Sequence, residues 1–239
     1  MRFDTIEQAT MNRRAMGAVA IAAALMTSVS TGEARSARAT ERQQQGDLLD
    51  RAVAAWAQVK TARATFEQTI TIALTGREMT TSGEYQQERP GRIAITFAHP
   101  AEDRIVADGK FVWLYLPSSA PDQVIKAPQG DKGTGTVDLT AQFLTAPRER
   151  YNVTAVGTLV VAGRPTHGFT LVPKSDKNKP FNTASVWIDD ADASIRQFEV
   201  AETSGLQRKV RLMSLKTNVP VDAKAFVFTV PAGIRVVTQ

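Results

Sequence analysis

The chain has 239 residues, 43% hydrophobic and 22% charged, an ordinary balance for one globular domain long enough to bury a sizeable core. Its net charge of +5 comes from basic residues scattered among acidic ones, whereas a nucleic-acid groove needs a clustered basic footprint. There is no cysteine, which excludes a disulfide framework and thiol chemistry.

The N-terminal segment reads as an export signal. Asn12-Arg13-Arg14 is a short basic region, Ala15 to Val29 an almost uncharged apolar run, and Ala37-Arg38-Ala39 a small-x-small cleavage site. Met1 to Thr10 carries Asp4 and Glu7 and does not look like the start of such a signal, so Met11 is a candidate initiator. The expected division is 1–39 signal peptide and 40–239 domain, with cleavage after Ala39 and export to an oxidising compartment. Five basic and three acidic side chains leave with the signal, and +5 falls to +3.

From Asp47 to Val59 the apolar spacing is helical, with Leu48, Leu49, Ala52, Val53 and Trp56 on one broad face and Gly46 or Asp47 as cap. From Arg63 the period becomes two: Phe66, Gln68, Ile70 and Ile72 share one side of a first strand, and Thr80 to Glu88 forms a second. Arg89 to Pro117 holds three further apolar runs between Pro- and Gly-bearing joints, the mark of an antiparallel meander. Ile93, Ile95 and Phe97 fall on one face of its first strand. Asp108-Gly109 suits a two-residue type I′ turn. In the strand that follows, Phe111, Trp113 and Tyr115 lie on one face and Val112, Leu114 and Leu116 on the other, so both faces should be covered and either one can look inward.

Gln123 to Ala127 is a short strand, Gln129 to Thr136 a glycine-bearing loop, and Val137 to Ala146 a short helix carrying Phe143 and Leu144. Further strands are expected over Tyr151 to Val156, Val160 to Ala162, His167 to Val172, Ala184 to Asp189, Ile195 to Ala201 and Arg208 to Leu215, with a last one over Phe226 to Val230. The inventory is mainly β, of the α+β kind: one curved antiparallel sheet rolled toward a barrel and plugged by two helical segments.

Chemistry is sparse. His99 and His167 have no partner at metal-ligand spacing, so no metal site is expected, and no nucleophile elbow or phosphate-binding loop is present. Asp189, Asp190 and Asp192 lack the regular spacing and terminal Glu of a calcium loop and read as a hairpin turn. No catalytic residue, no cofactor and no enzymatic activity are expected.

Phe66 and Gln68, Arg89-Pro90-Gly91, Asp108-Gly109-Lys110 with Trp113, Tyr115 and Pro117, Leu171 and Pro173, then Phe226, Phe228, Pro231, Gly233 and Val236 resemble, in order and spacing, the LolA family of periplasmic lipoprotein carriers. The resemblance covers about residues 45–239. It implies an incomplete β-barrel with a helical lid over a hydrophobic cavity. It also implies partners: acylated lipoproteins as cargo, an inner-membrane ABC-type release complex as donor and an outer-membrane acceptor. Nucleic acid is not among them, and a monomer is expected. Other members of this fold class imply alternatives: a carrier of a different lipid, a sensor of mislocalised lipoproteins, or, third, a lipid-acting enzyme.

By the same resemblance Arg89 is the latch, an arginine whose several donors tie carbonyls of the lid helices and hold the empty cavity shut. The cavity lining is assigned to Phe66, Ile70, Ile93, Ile95 and Phe97 from the sheet and Trp56 and Phe143 from the lid, with Phe111, Trp113 and Tyr115 as further candidates. One departure stands out: Thr136-Val137-Asp138 replaces the Thr-Pro common before the second helix.

Overall fold

The computed structural model describes residues 46, 48–130, 138–177, 179 and 181–239. The signal segment, the cap at Asp47, most of the 129–136 loop and Val137 lie outside the described residues. Twelve strands form one sheet: β1 Thr61–Ile72, β2 Glu78–Glu88, β3 Arg92–His99, β4 Arg104–Asp108, β5 Phe111–Tyr115, β6 Gln123–Pro128, β7 Tyr151–Val161, β8 Arg164–Pro173, β9 Thr183–Asp189, β10 Ile195–Ala201, β11 Leu206–Thr217 and β12 Arg235–Thr238. Their order is β12-β6-β5-β4-β3-β2-β1-β11-β10-β9-β8-β7, so two meanders join where β1 pairs with β11, and the sheet stays unclosed.

Alternation along β1 shows how the sequence sets the sheet. Ala62, Ala64, Phe66 and Gln68 are buried while Arg63, Thr65 and Glu67 are exposed, because successive side chains point to opposite faces. The buried set runs across the sheet by register, from Phe198 through Val210 and Gln68 to Thr81, and from Tyr85 through Ile95 and Ile105 to Leu114. Two helices cover this concave face. The first, α1 (residues 48–57), buries Leu48, Leu49 and Ala52. The second, α2 (Leu139–Leu144), buries Phe143 and Leu144, and a single turn, α3 (Pro147–Arg150), leads on into β7. Together they share one core with Phe66, Phe169, Leu171, Phe181, Val186 and Phe198.

Curvature comes from bulges, which add a residue to one strand and increase the local twist. Met213 is the extra residue opposite Thr65 and Phe66, Ala98 opposite Ser82 and Gly83, Val156 opposite the Phe169–Gly168 step, and Arg196 near Ile188. Gly83 is required at its bulge: a Cβ there would sit 2.2 Å from the Thr96 carbonyl oxygen.

Four expectations change. Tyr151 to Val156 and Val160 to Ala162 are one strand, β7, continuous through its bulge. At the β4–β5 turn the central residues are Gly109 and Lys110, not Asp108 and Gly109. Positive φ is confined to Gly109 (95°), the pattern of a II′ turn, because the Asp108 carboxylate accepts the N–H groups of Lys110 and Phe111 at 2.8 Å and stays with β4. Phe226 to Val230 is not a strand. Asp222 caps a 3-10 turn over Ala223–Phe226, after which Phe228 stacks on Trp113 with ring centroids 5.4 Å apart. The last strand is instead β12, and it runs parallel to β6, the one exception to an otherwise antiparallel sheet.

Candidate functional site: the seam between the helices and the concave face

The concave face is an apolar belt between two polar lines. Its centre holds Phe66 and Phe97, edge to face with centroids 5.7 Å apart, with Tyr85, Ile95 and Leu212 around them and Trp56 of α1 packed on the same cluster. On the α2 side Phe143 is 1% exposed and meets Phe181 and Phe198 at centroid distances of 5.9 and 5.4 Å. Ile93 sits next door with Ala107 and Val112, and Tyr85 and Ile95 touch both groups.

The seven principal lining candidates divide accordingly. Trp56, Phe66, Ile95, Phe97 and Phe143 share one cluster, Ile93 belongs to the adjoining one, and Ile70 joins neither, pairing instead with the exposed Met79 near the rim. The remaining candidates, Phe111, Trp113 and Tyr115, face the other way. Register pairs Ile93 with Ala107 and Ala107 with Val112, so Val112 and Leu114 take the inner face of β5. Trp113 takes the outer face, where its Nε1 donates to Asp108 Oδ2 at 2.9 Å and the Phe228 ring covers it. Lys126 Nζ lies 3.8 Å from the centre of the Phe111 ring on that same outer side. The expectation that β5 is covered on both faces therefore holds, but the aromatic face is the one under the C-terminal segment.

One polar line crosses the strand ends at Gln68, whose Nε2 donates to Thr81 Oγ1 at 3.2 Å and whose Oε1 accepts from Arg208 Nη1 at 2.9 Å. The other lies at the opposite end and contains Arg89. Its Nη1 donates to Trp56 O at 2.8 Å and Val59 O at 3.2 Å, the carbonyls at the end of α1, and its guanidinium carbon lies 4.8 Å from the centre of the Trp56 ring. Trp56 O also accepts from Val59 N at 3.1 Å as the helix ends, and one guanidinium bonds both carbonyls here. The start of α1 is tied separately, by Arg148 to Asp50 and to Gly46 O.

Three residues of this line escaped the sequence reading. Burial of Tyr85, with the nearby Asp138 carboxylate, lifts its phenol well above the ordinary value against the opposing Arg89 charge, so it is neutral. Gln87 is 1% exposed and donates from Nε2 to Asp138 Oδ2 at 2.5 Å, while Asp138 Oδ1 caps α2 by accepting from Ala141 N at 2.9 Å. Burial raises the Asp138 pKa against the opposing pull of the Ala141 and Gln87 hydrogen bonds and the Arg89 charge. The available signal was period two: Tyr85 and Gln87 alternate on the inner face of β2, which ends at Glu88, next to Arg89.

Away from the seam, Asp189 is buried between Arg164 and Arg196 at the β9–β10 turn, and His167 meets Asp190 at 2.6 Å, so the acidic trio is the hairpin turn it was read as. Among the described residues no group of three or more His, Cys, Asp or Glu is placed to hold a metal, and no helix is long and apolar enough to cross a membrane. A groove of about 350 Å³ has mixed walls, among them Thr69, Glu78, Ser185, Glu199, Val200 and Lys209, and none of the residues of the seam lines it.

The model of the family described as "Outer membrane lipoprotein carrier protein LolA" matches residues 57–229. The chain belongs to the LolA family. Among relatives, this LolA-family chain is 32% identical over 185 residues to the outer-membrane lipoprotein carrier protein of Edwardsiella ictaluri, covering 76% of this chain and 82% of that one. It is 26% identical over 193 residues to the protein of the same name from Methylibium petroleiphilum, covering 81% and 90%. Among solved structures, an uncharacterized conserved protein from Thermus thermophilus superposes with a TM-score of 0.51 at 13% identity, over 82% of this chain and 99% of that one, a likeness of fold alone.

Proposed function

We propose that this LolA-family protein is a lipoprotein carrier: it takes the acyl chains of lipoproteins into the concave face of its sheet beneath α1 and α2 and carries them across the periplasm. The observation that carries the reading is the seam itself. A wide apolar face with a Phe66–Phe97 centre is covered by short helices, and the carbonyls at the end of α1 are bonded by side chains, Trp56 O and Val59 O by Arg89 and Gln58 O by Asn218. The donor is an inner-membrane ABC-type release complex and the recipient an outer-membrane acceptor. The signal segment ending near Ala39 accounts for export.

Cargo physics explains the design. Burying a methylene is worth about 0.8 kcal/mol, so releasing one roughly sixteen-carbon chain into water costs on the order of 12 kcal/mol. Free diffusion between membranes is therefore negligible. Three chains buried without compensation would total on the order of 35 kcal/mol, beyond the range of non-covalent affinities, and could not be handed on. Opening the lid offsets part of that energy: Trp56 and Phe143 leave the sheet as chains enter, and Arg89 gives up its two carbonyls. Arg89 is the latch and Trp56, Phe66, Ile93, Ile95, Phe97 and Phe143 are the surface exchanged for acyl chains. No chemical step is needed.

The test is release of radiolabelled lipoproteins from inner-membrane vesicles by the purified mature protein, followed by native mass spectrometry of the soluble complex. Release into a one-to-one complex is expected. A protein that releases no lipoprotein, yet leaves the periplasm loaded with some other lipid, would overturn the assigned cargo.

A further inference from the structure

The carrier reading gives the lid one latch, but the geometry at the end of β2 divides the work between two side chains. Gln87 is in β2 and Arg89 is the residue just after its end at Glu88, and both side chains reach the helices on the concave face. Among the described residues, the hydrogen bonds of the Arg89 side chain go to the α1 end, at Trp56 O and Val59 O. Gln87 reaches α2 instead, through the 2.5 Å bond from its Nε2 to Asp138 Oδ2. We propose that Gln87 and Asp138 form a second latch, which holds α2 separately from the Arg89 latch on α1, so that either helix can be released while the other stays down. The proposal rests on the carrier reading for its purpose, not for its bonds.

Three observations support a separable α2. The helix has six residues, too few to persist without tertiary support, so its start depends on the Asp138 cap. Its far end is held locally: Tyr151 Oη donates to Gln142 O at 3.0 Å and Arg150 Nη1 to the same oxygen at 3.1 Å, both from residues just downstream. The side-chain tie from the N-terminal cap to a distant strand is the one from Gln87, whose Oε1 is buried without a partner. An unpaired buried acceptor is a penalty of the closed form that water relieves on opening, so this latch is weak by construction. Releasing α2 lifts Phe143 from Phe181 and Phe198 and opens that part of the belt while α1 remains on Arg89.

The test is native-state hydrogen–deuterium exchange on the full mature protein without cargo, read separately in residues 48–57 and 139–144. Gln87→Leu and Asp138→Ala are each expected to speed exchange in 139–144 by about tenfold, the low end for a hydrogen bond to a charged group, with 48–57 within about twofold of wild type. Arg89→Leu should do the reverse. Asp138→Asn keeps the cap through its one amide oxygen, and its Nδ2 can donate to Gln87 Oε1 once the Gln87 amide turns over, so it should restore most of the protection in 139–144, a rescue that a general loss of stability would not give. If each variant speeds both helices equally, or if neither Gln87→Leu nor Asp138→Ala touches 139–144, the second latch does not exist. Because no lipoprotein is present, this outcome is independent of vesicle release: a wild type that carries no lipoprotein refutes the carrier reading and leaves the exchange pattern standing.

Discussion

Replacing Arg89 with Leu should make this protein bind acyl chains more tightly and let them go more slowly. The guanidinium makes one short and one long hydrogen bond to the α1 carbonyls, at 2.8 and 3.2 Å, and stacks over Trp56. Hydrogen bonds to charged groups contribute about 1.5–3 kcal/mol each, and the half-buried setting and the long second bond argue for the lower end, about 3 kcal/mol for the pair. The stacking over Trp56 adds about 0.5 kcal/mol, which the apolar contacts of Leu largely replace. A loss of about 3 kcal/mol moves the ratio of closed to open lid by about a hundredfold. Apparent affinity scales with the open fraction, so a lid that is mostly closed in the wild type yields up to about hundredfold tighter binding in the variant. The assay is titration of a fluorescent diacylated peptide into wild type, Arg89→Leu and Arg89→Lys, with far-UV circular dichroism and urea midpoints as controls for folding. Lys supplies a point charge without the planar fork and should fall between the other two. If folded Arg89→Leu binds the peptide no more tightly than wild type, Arg89 does not hold the lid.

Two further outcomes follow from the packing. The Asp189 carboxyl is subject first to burial, which raises its pKa, but hydrogen bonds from Arg164, Ala191 N and Arg196 outweigh burial and bring it down to about 2. A pKa depressed on folding contributes stability above the unfolded value near 3.8 and loses it as pH falls toward 2. With Arg164 half exposed, the contribution is of order 1 kcal/mol, and urea midpoints between pH 5 and pH 2 should fall more steeply for wild type than for Asp189→Asn. Gly83→Val should destabilise the fold by at least about 2 kcal/mol, since its Cβ meets the backbone oxygen of Thr96 rather than a movable side chain; a urea midpoint close to wild type would mean that the β2–β3 bulge is not rigid.

Period-two patterning made most of the sheet legible, because a strand with one buried face repeats its apolar residues at every second position, as β1 does from Ala62 to Gln68. Arg89 was legible through the family resemblance, and its bonds to the end of α1 agree with the proposed role. The bulges at Met213, Ala98 and Val156 were not, since an extra residue leaves no mark of its own in composition. That is why β7 read as two strands. Which side of Phe111 to Tyr115 faces inward depended on pairing with β4, a fact of register that a strand apolar on both faces cannot reveal. Phe226 to Val230 alternates like a strand, but its two phenylalanines anchor a turn and a stack instead of a ladder. Asp138 looked like a mere departure before the second helix because its partner, Gln87, is 51 positions away.

Among the described residues, the two outermost strands of the sheet are unlike. On one side, β12 lies parallel to β6 as a four-residue strip, so the protein's own tail occupies the edge that would otherwise offer the longer ladder of β6. On the other side, β7 presents eleven residues with no charged side chain, and only its bulge at Val156 and Gly157 twists it out of line. A strand added to β7 finds a long template, whereas one added to β12 finds four residues. Head-to-tail stacking of β7 on β12 is therefore a poor repeat for a fibre, and edge pairing of β7 with β7 consumes both long templates at the first step. Joining two such edges leaves only the four-residue β12 strips at the ends of the combined sheet, so a ladder begun on β7 has little to continue on.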